Sequence, residues 1–177
     1  MSPDLVALPD HKVPTWRRCA ALGVDFCLIG LLCSSIGAQG VTLFFLFMIG
    51  WLTCRVVVVS KNQGQSFGRW AFDIRVVDSQ RNRTPRLLEL LKRETFIGIG
   101  AFLLLLSLGS LTAGNAGILL LMLPIVLDCG AVLFDTSRHP QTVHDRIGQT
   151  IVIGSRRGYS LDVKIRHLID KVKREMK

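Results

Sequence analysis

Three ionisable side chains stand where an apolar solvent would exclude them. Asp25, Arg55 and Asp128 border two long stretches that carry no charge, residues 26–54 and 95–127. An Asp or Arg near the middle of a membrane-spanning helix costs about 2.5–3.5 kcal/mol on insertion scales, so such a residue normally has a partner or a task. A sodium or proton site needs carboxylates whose occupancy or protonation changes as the ion passes. Here Arg55 would tie up one carboxylate and leave the other free. The same charges, paired, would also lock helices in register and carry nothing. Both readings stand, with Asp25, Asp128 and Arg55 as the candidate ion or substrate site.

Other chemistries are excluded on the same inspection. No phosphate loop, zinc signature or nucleophile elbow occurs. His144 and Asp145 are adjacent in sequence, so their side chains point in different directions on a helix or a strand, and no catalytic dyad is expected. Cys19, Cys27, Cys33, Cys54 and Cys129 form no CxxC pair and read as small packing residues rather than metal ligands. Neither an enzyme nor a cofactor is expected.

The elements that must position these charges are helices. At about 1.5 Å per residue, the 33-residue uncharged run would reach roughly 50 Å, against a hydrocarbon core near 30 Å. Each run is broken by a polar, glycine-rich stretch, Gly37-Ala38-Gln39-Gly40 in one and Thr112-Ala113-Gly114-Asn115-Ala116-Gly117 in the other. The pattern predicts an all-α membrane protein with four spans, about 17–37, 41–59, 95–112 and 116–135, arranged as two helical hairpins. Lys and Arg number three in residues 1–18, eight in 60–94 and ten in 136–177, with none in either hairpin turn. By the positive-inside rule both termini and the central loop face the cytoplasm. The first 15 residues show no secretory signal, so the first span is expected to insert by itself. The net charge of +9 is then explained by topology and by anionic lipid headgroups, not by nucleic acid.

Depth and lean bring the charges together. Helical side chains lean toward their own N-terminus, so Asp25 on an outgoing helix and Arg55 on a returning one lean toward each other. The expected arrangement is a buried cluster of Asp25, Arg55 and Asp128. Arg18 is placed beside Asp135 on its rim, with Arg17 and Arg69 also at the membrane edge.

Outside the spans, residues 71–78 alternate apolar and polar and meet a turn, while 149–153 is a second β-rich run. Together they predict a small antiparallel ribbon. Thr84-Pro85 would start a helix over 85–94. Ser160 would cap an amphipathic helix over 161–176, with Leu161, Ile165, Leu168, Ile169, Val172 and Met176 on one stripe. That helix suits an anionic membrane surface or a docked partner. Gly64, Gly68 and Gly148 read as turn residues, and Asp145 as the partner of a basic residue such as Arg69 or as the cap of the preceding turn, fixing the ribbon to the bundle. The chain divides into a segment 1–15, a membrane domain 16–153 and a basic tail 154–177.

Several stretches, in order, resemble one family. Trp16-Arg17-Arg18-Cys19-Ala20-Ala21-Leu22-Gly23-Val24-Asp25, Gly64-Gln65-Ser66-Phe67-Gly68-Arg69 with Asp73 to Asp78, Leu91-Lys92-Arg93-Glu94, and Arg138 to Val152 with its His144-Asp145-Arg146 are similar to the RDD family. That family is named for an arginine and two aspartates. The resemblance implies that Arg18 and Asp25 are the first pair, with Arg17 the alternative arginine, and Asp145 the second aspartate, with Asp128 and Asp135 as alternatives. It also implies a prokaryotic inner-membrane protein. Transport has been proposed for the family, and sodium/proton exchange is the most concrete form here. Four helices enclose little volume, so transport would require a homo-oligomer or a membrane-protein partner. The alternative is a scaffold or accessory subunit that docks a partner through its ribbon and tail helix.

Overall fold

The computed structural model describes residues 13–111, 115–136 and 140–155. The predicted tail helix over 161–176, the segment before Val13 and the first half of the Thr112–Gly117 break, residues 112–114, lie outside the described residues.

Helix α1 spans Thr15–Ile36 and ends at Gly37, whose left-handed φ of 68° lets its N–H close on the Ser34 carbonyl. After this short turn α2 runs over Gly40–Lys61. It contains one wide π-helical turn, Thr53–Val57, in which the consecutive residues Cys54, Arg55 and Val56 are all buried. A regular helix with one inward stripe does not bury three neighbours in a row. The wider turn therefore gives Arg55 an inward position beside apolar packing residues.

The short helix α3, Phe67–Ala71, leads into strand β1, Ile74–Asp78. Helix α4 follows over Leu87–Gly109. It starts after Arg86 rather than at Pro85, because Glu89 reaches back and accepts the Arg86 N–H at 3.0 Å, satisfying a donor the helix leaves open. Helix and expected span thus form one element. Helix α5, Gly117–Phe134, opens with a tight 3-10 turn and becomes α-helical at Leu123. Helix α6, Val143–Ile147, and strand β2, Thr150–Gly154, complete the described chain.

Helices α1, α2 and α5 are each long and apolar enough to cross a membrane. The charge-free part of α4 is shorter, Thr95 to Gly109, about 22 Å. Their outer faces show large apolar side chains, with Leu31, Val41, Ile49, Leu120 and Phe134 all exposed. So much apolar surface suits lipid rather than water. Inside, Phe47 stacks on Trp51 at 5.6 Å and meets Phe102 at 5.8 Å, with Ile29, Ile97 and Ile125 around them.

One end of the bundle carries a polar cap. Strands β1 and β2 pair antiparallel, with Val76 opposite Val152 and Asp78 opposite Thr150. A two-stranded ribbon is marginal alone. This one packs Ile74, Val76 and Val152 against Ala21, Val56, Val59 and Leu90 of three helices. Gly64, at φ 87°, bonds the outer edge of β1 by accepting the Val76 N–H at 2.9 Å.

Gly68 lies within α3 and serves close approach rather than a turn, while Gly148 sits in the turn after α6 and is closely packed as well. A Cβ at Gly68 would lie 2.0 Å from the Ala21 carbonyl oxygen, and one at Gly148 would lie 2.9 Å from Arg93 Cβ. Gly23, by contrast, has nothing within 4 Å of such a carbon. Gly68→Ala should therefore lower the thermal midpoint of the purified protein, by about 1–3 kcal/mol of overpacking. Gly23→Ala should leave it unchanged or slightly raised. Equal midpoints for the two variants would refute the close contact.

Candidate functional site

The site grows from Asp25, which is fully buried in the middle of α1. Three N–H or O–H donors meet its carboxylate, and the Cys54 thiol lies 4.0 Å from Oδ1. Arg55 Nη1 and Ser66 Oγ donate to Oδ2 at 2.7 and 2.6 Å, and the Gly68 N–H donates to Oδ1 at 2.7 Å. Ser66 also caps α3, accepting from the Arg69 N–H, so the turn that delivers it to Asp25 is fixed locally. The Gly68 N–H reaches because that glycine lets α3 lie against α1.

Arg55 spans from this carboxylate to a second one. Its Nε donates to Glu94 Oε2 at 2.6 Å, and its guanidinium lies 4.9 Å from the Trp51 ring centre. The planar fork suits two carboxylates at once. Glu94, also fully buried, receives Arg69 Nη2 on Oε1 at 2.7 Å and has Arg93 Nη1 3.4 Å away. Burial, reinforced by the Arg55 charge, pulls the Arg69 guanidinium down to about 10, which still leaves it charged at neutral pH.

Arg93 carries the network to the cap. Its Nη2 lies 2.6 Å from Asp145 Oδ1 and 3.2 Å from His144 Nε2. Asp128 accepts the His144 N–H at 2.9 Å and faces His144 Nδ1 at 2.5 Å. Arg18 Nη1 donates to the Pro140 carbonyl at 2.7 Å and Nη2 to the Val152 carbonyl at 3.2 Å, while Asp145 Oδ2 is 3.6 Å from Nη1. Burial would push the Asp145 carboxyl up, but Arg93, with further help from His144 and Arg18, outweighs it and holds the group at about 2.

The structure thus brings Asp25 and Arg55 together, and Arg18 and Asp145. It does not join Asp128 to Arg55: that carboxylate bonds to His144 instead, because α6 folds back over the end of α5. Arg18 does not pair with Asp135, since its lean toward the helix N-terminus takes it to the cap carbonyls. Asp135 accepts the Gln141 N–H at 2.9 Å and the exposed Arg146 at 3.1 Å. Arg69 is only 3% exposed and belongs to the network rather than to the membrane edge. Arg17 lies over the Trp16 ring at 5.6 Å. Asp145 takes Arg93, not Arg69, as its close cation.

Sequence reasoning passed over Glu94, Arg93, His144 and Ser66 as site residues. Glu94 marked only the edge of an uncharged run, and nothing in its spacing announces guanidiniums arriving from positions 55, 69 and 93. Among the described residues no group of three or more His, Cys, Asp or Glu side chains could hold a metal ion.

Two outcomes follow from this wiring. Glu94→Gln leaves Arg55 and Arg69 buried without their shared countercharge and should cost about 3–5 kcal/mol of stability. Arg146→Ala, which removes only an exposed pair with Asp135, should cost under about 1 kcal/mol; thermal unfolding in detergent checks both. Asp145 lies well below its ordinary 3.8, so its contribution is complete above that value and is lost as pH falls toward about 2. The Asp145→Asn variant should therefore lose less stability than the parent across that acid window.

Neither the curated proteins nor the solved structures return a match to this chain. A family model, that of the RDD family, matches residues 12–149. That stretch takes in every member of the buried network from Arg18 to Asp145, and the chain belongs to the RDD family.

Proposed function

We propose that this membrane protein exchanges protons for another ion, sodium being the most concrete candidate, with His144 as the group that takes and gives the proton. In this reading all four helices span a prokaryotic inner membrane, with the cap and both termini cytoplasmic. A second copy or a partner protein completes the path.

The observation that carries the reading is the position of His144. One ring nitrogen faces Asp128 at 2.5 Å; the other is 3.2 Å from Arg93 Nη2 and 3.6 Å from Asp145 Oδ1. A guanidinium only donates, so Nε2 accepts from Arg93 when Nδ1–H donates to Asp128, and the Thr142 hydroxyl lies within 3.2 Å of both ring nitrogens. A proton added at Nε2 would turn the Arg93 contact repulsive and the Asp145 contact attractive.

Asp25 is the less suitable carrier. Its two oxygens already receive Arg55, Ser66 and Gly68, so a cation there would have to displace a bonded donor. The Asp25–Arg55–Glu94 chain acts as a fixed strut, and the exchangeable proton sits one step away.

Reconstituted vesicles test this directly. A pH gradient should drive sodium movement with the parent protein, and His144→Gln should lower that flux at least tenfold while the protein stays abundant and folded. Wild-type flux in His144→Gln would sink the assignment of the proton to His144. Absence of flux from the parent protein, alone and in its native assembly, would leave the scaffold reading in its place.

A further inference from the structure

The guanidiniums enclose more than their carboxylates. A cavity of about 40 Å³ lies between α1, α5 and the cap, and its polar lining includes Arg18, Arg55, Arg69, Arg93, His144 and Asp145. Four cations face one carboxylate there. Several of their donors make no hydrogen bond among the described residues: Arg69 Nη1, Arg93 Nε and Arg18 Nε, with Arg93 Nη1 held only by its 3.4 Å ion pair to Glu94. Arg69 and Arg93 are 3% and 2% exposed, so bulk water does not serve them. Buried donors left open are costly, and native proteins fill such positions.

We propose that this cavity is a binding site for a halide-sized anion, chloride in the cell. Size favours it: one water needs about 10–15 Å³ measured this way, so the space suits a monatomic ion with a water beside it. Charge is balanced overall, and the unspent donors on the cavity side are what favour an anion there. The network's carboxylates, Asp25, Glu94, Asp128 and Asp145, match Arg18, Arg55, Arg69 and Arg93 in number, but the carboxylates of Asp25 and Glu94 are taken up by hydrogen bonds from Arg55, Ser66, Gly68 and Arg69. Asp145 Oδ1 is the opposing acceptor, and Arg93 Nη2 at 2.6 Å offsets it. The site is independent of whether the protein moves protons, because it is defined by occupancy and not by flux.

Bromide is the probe. Crystals of the full chain grown in sodium bromide should give an anomalous peak within hydrogen-bond distance of Arg69 Nη1 and Arg93 Nε. As bromide or chloride replaces gluconate at constant ionic strength, the thermal midpoint should rise with the logarithm of halide concentration. Arg69→Lys keeps the charge beside Glu94 but removes the free Nη1, and it should abolish that halide-specific rise. Should this variant fail to fold, the two measurements on the parent protein still decide. Waters alone in the cavity would overturn the proposal, and so would equal midpoints in halide and gluconate. A bromide peak without any halide-specific rise would mark an adventitious ion only and would overturn it as well.

Discussion

One guanidinium shared between two buried carboxylates organises this molecule. Arg55 bonds Asp25 on α1 and Glu94 on α4 from its own place on α2, so three helices meet at a single side chain. A buried charge is tolerable only if paired and hydrogen-bonded throughout. That requirement propagates outward. Satisfying Asp25 demands Ser66 and the Gly68 N–H, which fixes α3 against α1; satisfying Glu94 demands Arg69 from the same short helix. The ionic chain specifies the joint between bundle and cap, whereas the apolar core around Phe47, Trp51 and Ile97 holds the helices together without naming their register. The π turn that buries Arg55 is the local distortion this arrangement requires.

The cap depends on the bundle in turn. Its ribbon has two five-residue strands, too few to stand alone. Two kinds of contact hold it: Ile74, Val76 and Val152 lie on apolar helix surface, and Arg18 and Arg93 reach up from α1 and α4 to Val152, Pro140 and Asp145. Helix α6 is short, yet the Thr142–Asp145 capping box orders it. The same Asp145 then serves as counterion. Local structure and long-range pairing use one carboxylate.

Much of this frame was legible in the sequence. Uncharged runs and glycine-rich breaks locate helices α1, α2 and α5 to within a few residues, and alternation locates both strands. The opposed lean of Asp25 and Arg55 follows from helix geometry alone. What the sequence hid were partners supplied by tertiary folding. Glu94 reads as the boundary of an apolar run because its three cations are scattered over the chain. His144 reads only as an unsuitable dyad partner for its neighbour Asp145, because nothing local shows that α6 returns to Asp128. Gly68 resembles a turn glycine, since only the packed structure reveals the Ala21 carbonyl where its side chain would be. Spacing reports faces of one element; it does not report which distant face arrives opposite.

The balance of charge gives the network its chemical character. Its four carboxylates, Asp25, Glu94, Asp128 and Asp145, equal its four guanidiniums, Arg18, Arg55, Arg69 and Arg93, in number. A network in which every arginine had a dedicated carboxylate would be a plain lock, indifferent to the bulk solution. Here the pairing is uneven: Glu94 bonds two guanidiniums, and donors of Arg69 and Arg93 remain open toward a cavity. The Asp25 carboxylate is filled by its donors, while the Arg93–His144–Asp145 side is not. Rigidity at one end and unspent hydrogen-bonding capacity at the other is what separates a structural ion pair from a place where a small ion can enter, and both lie within the same connected chain of charges.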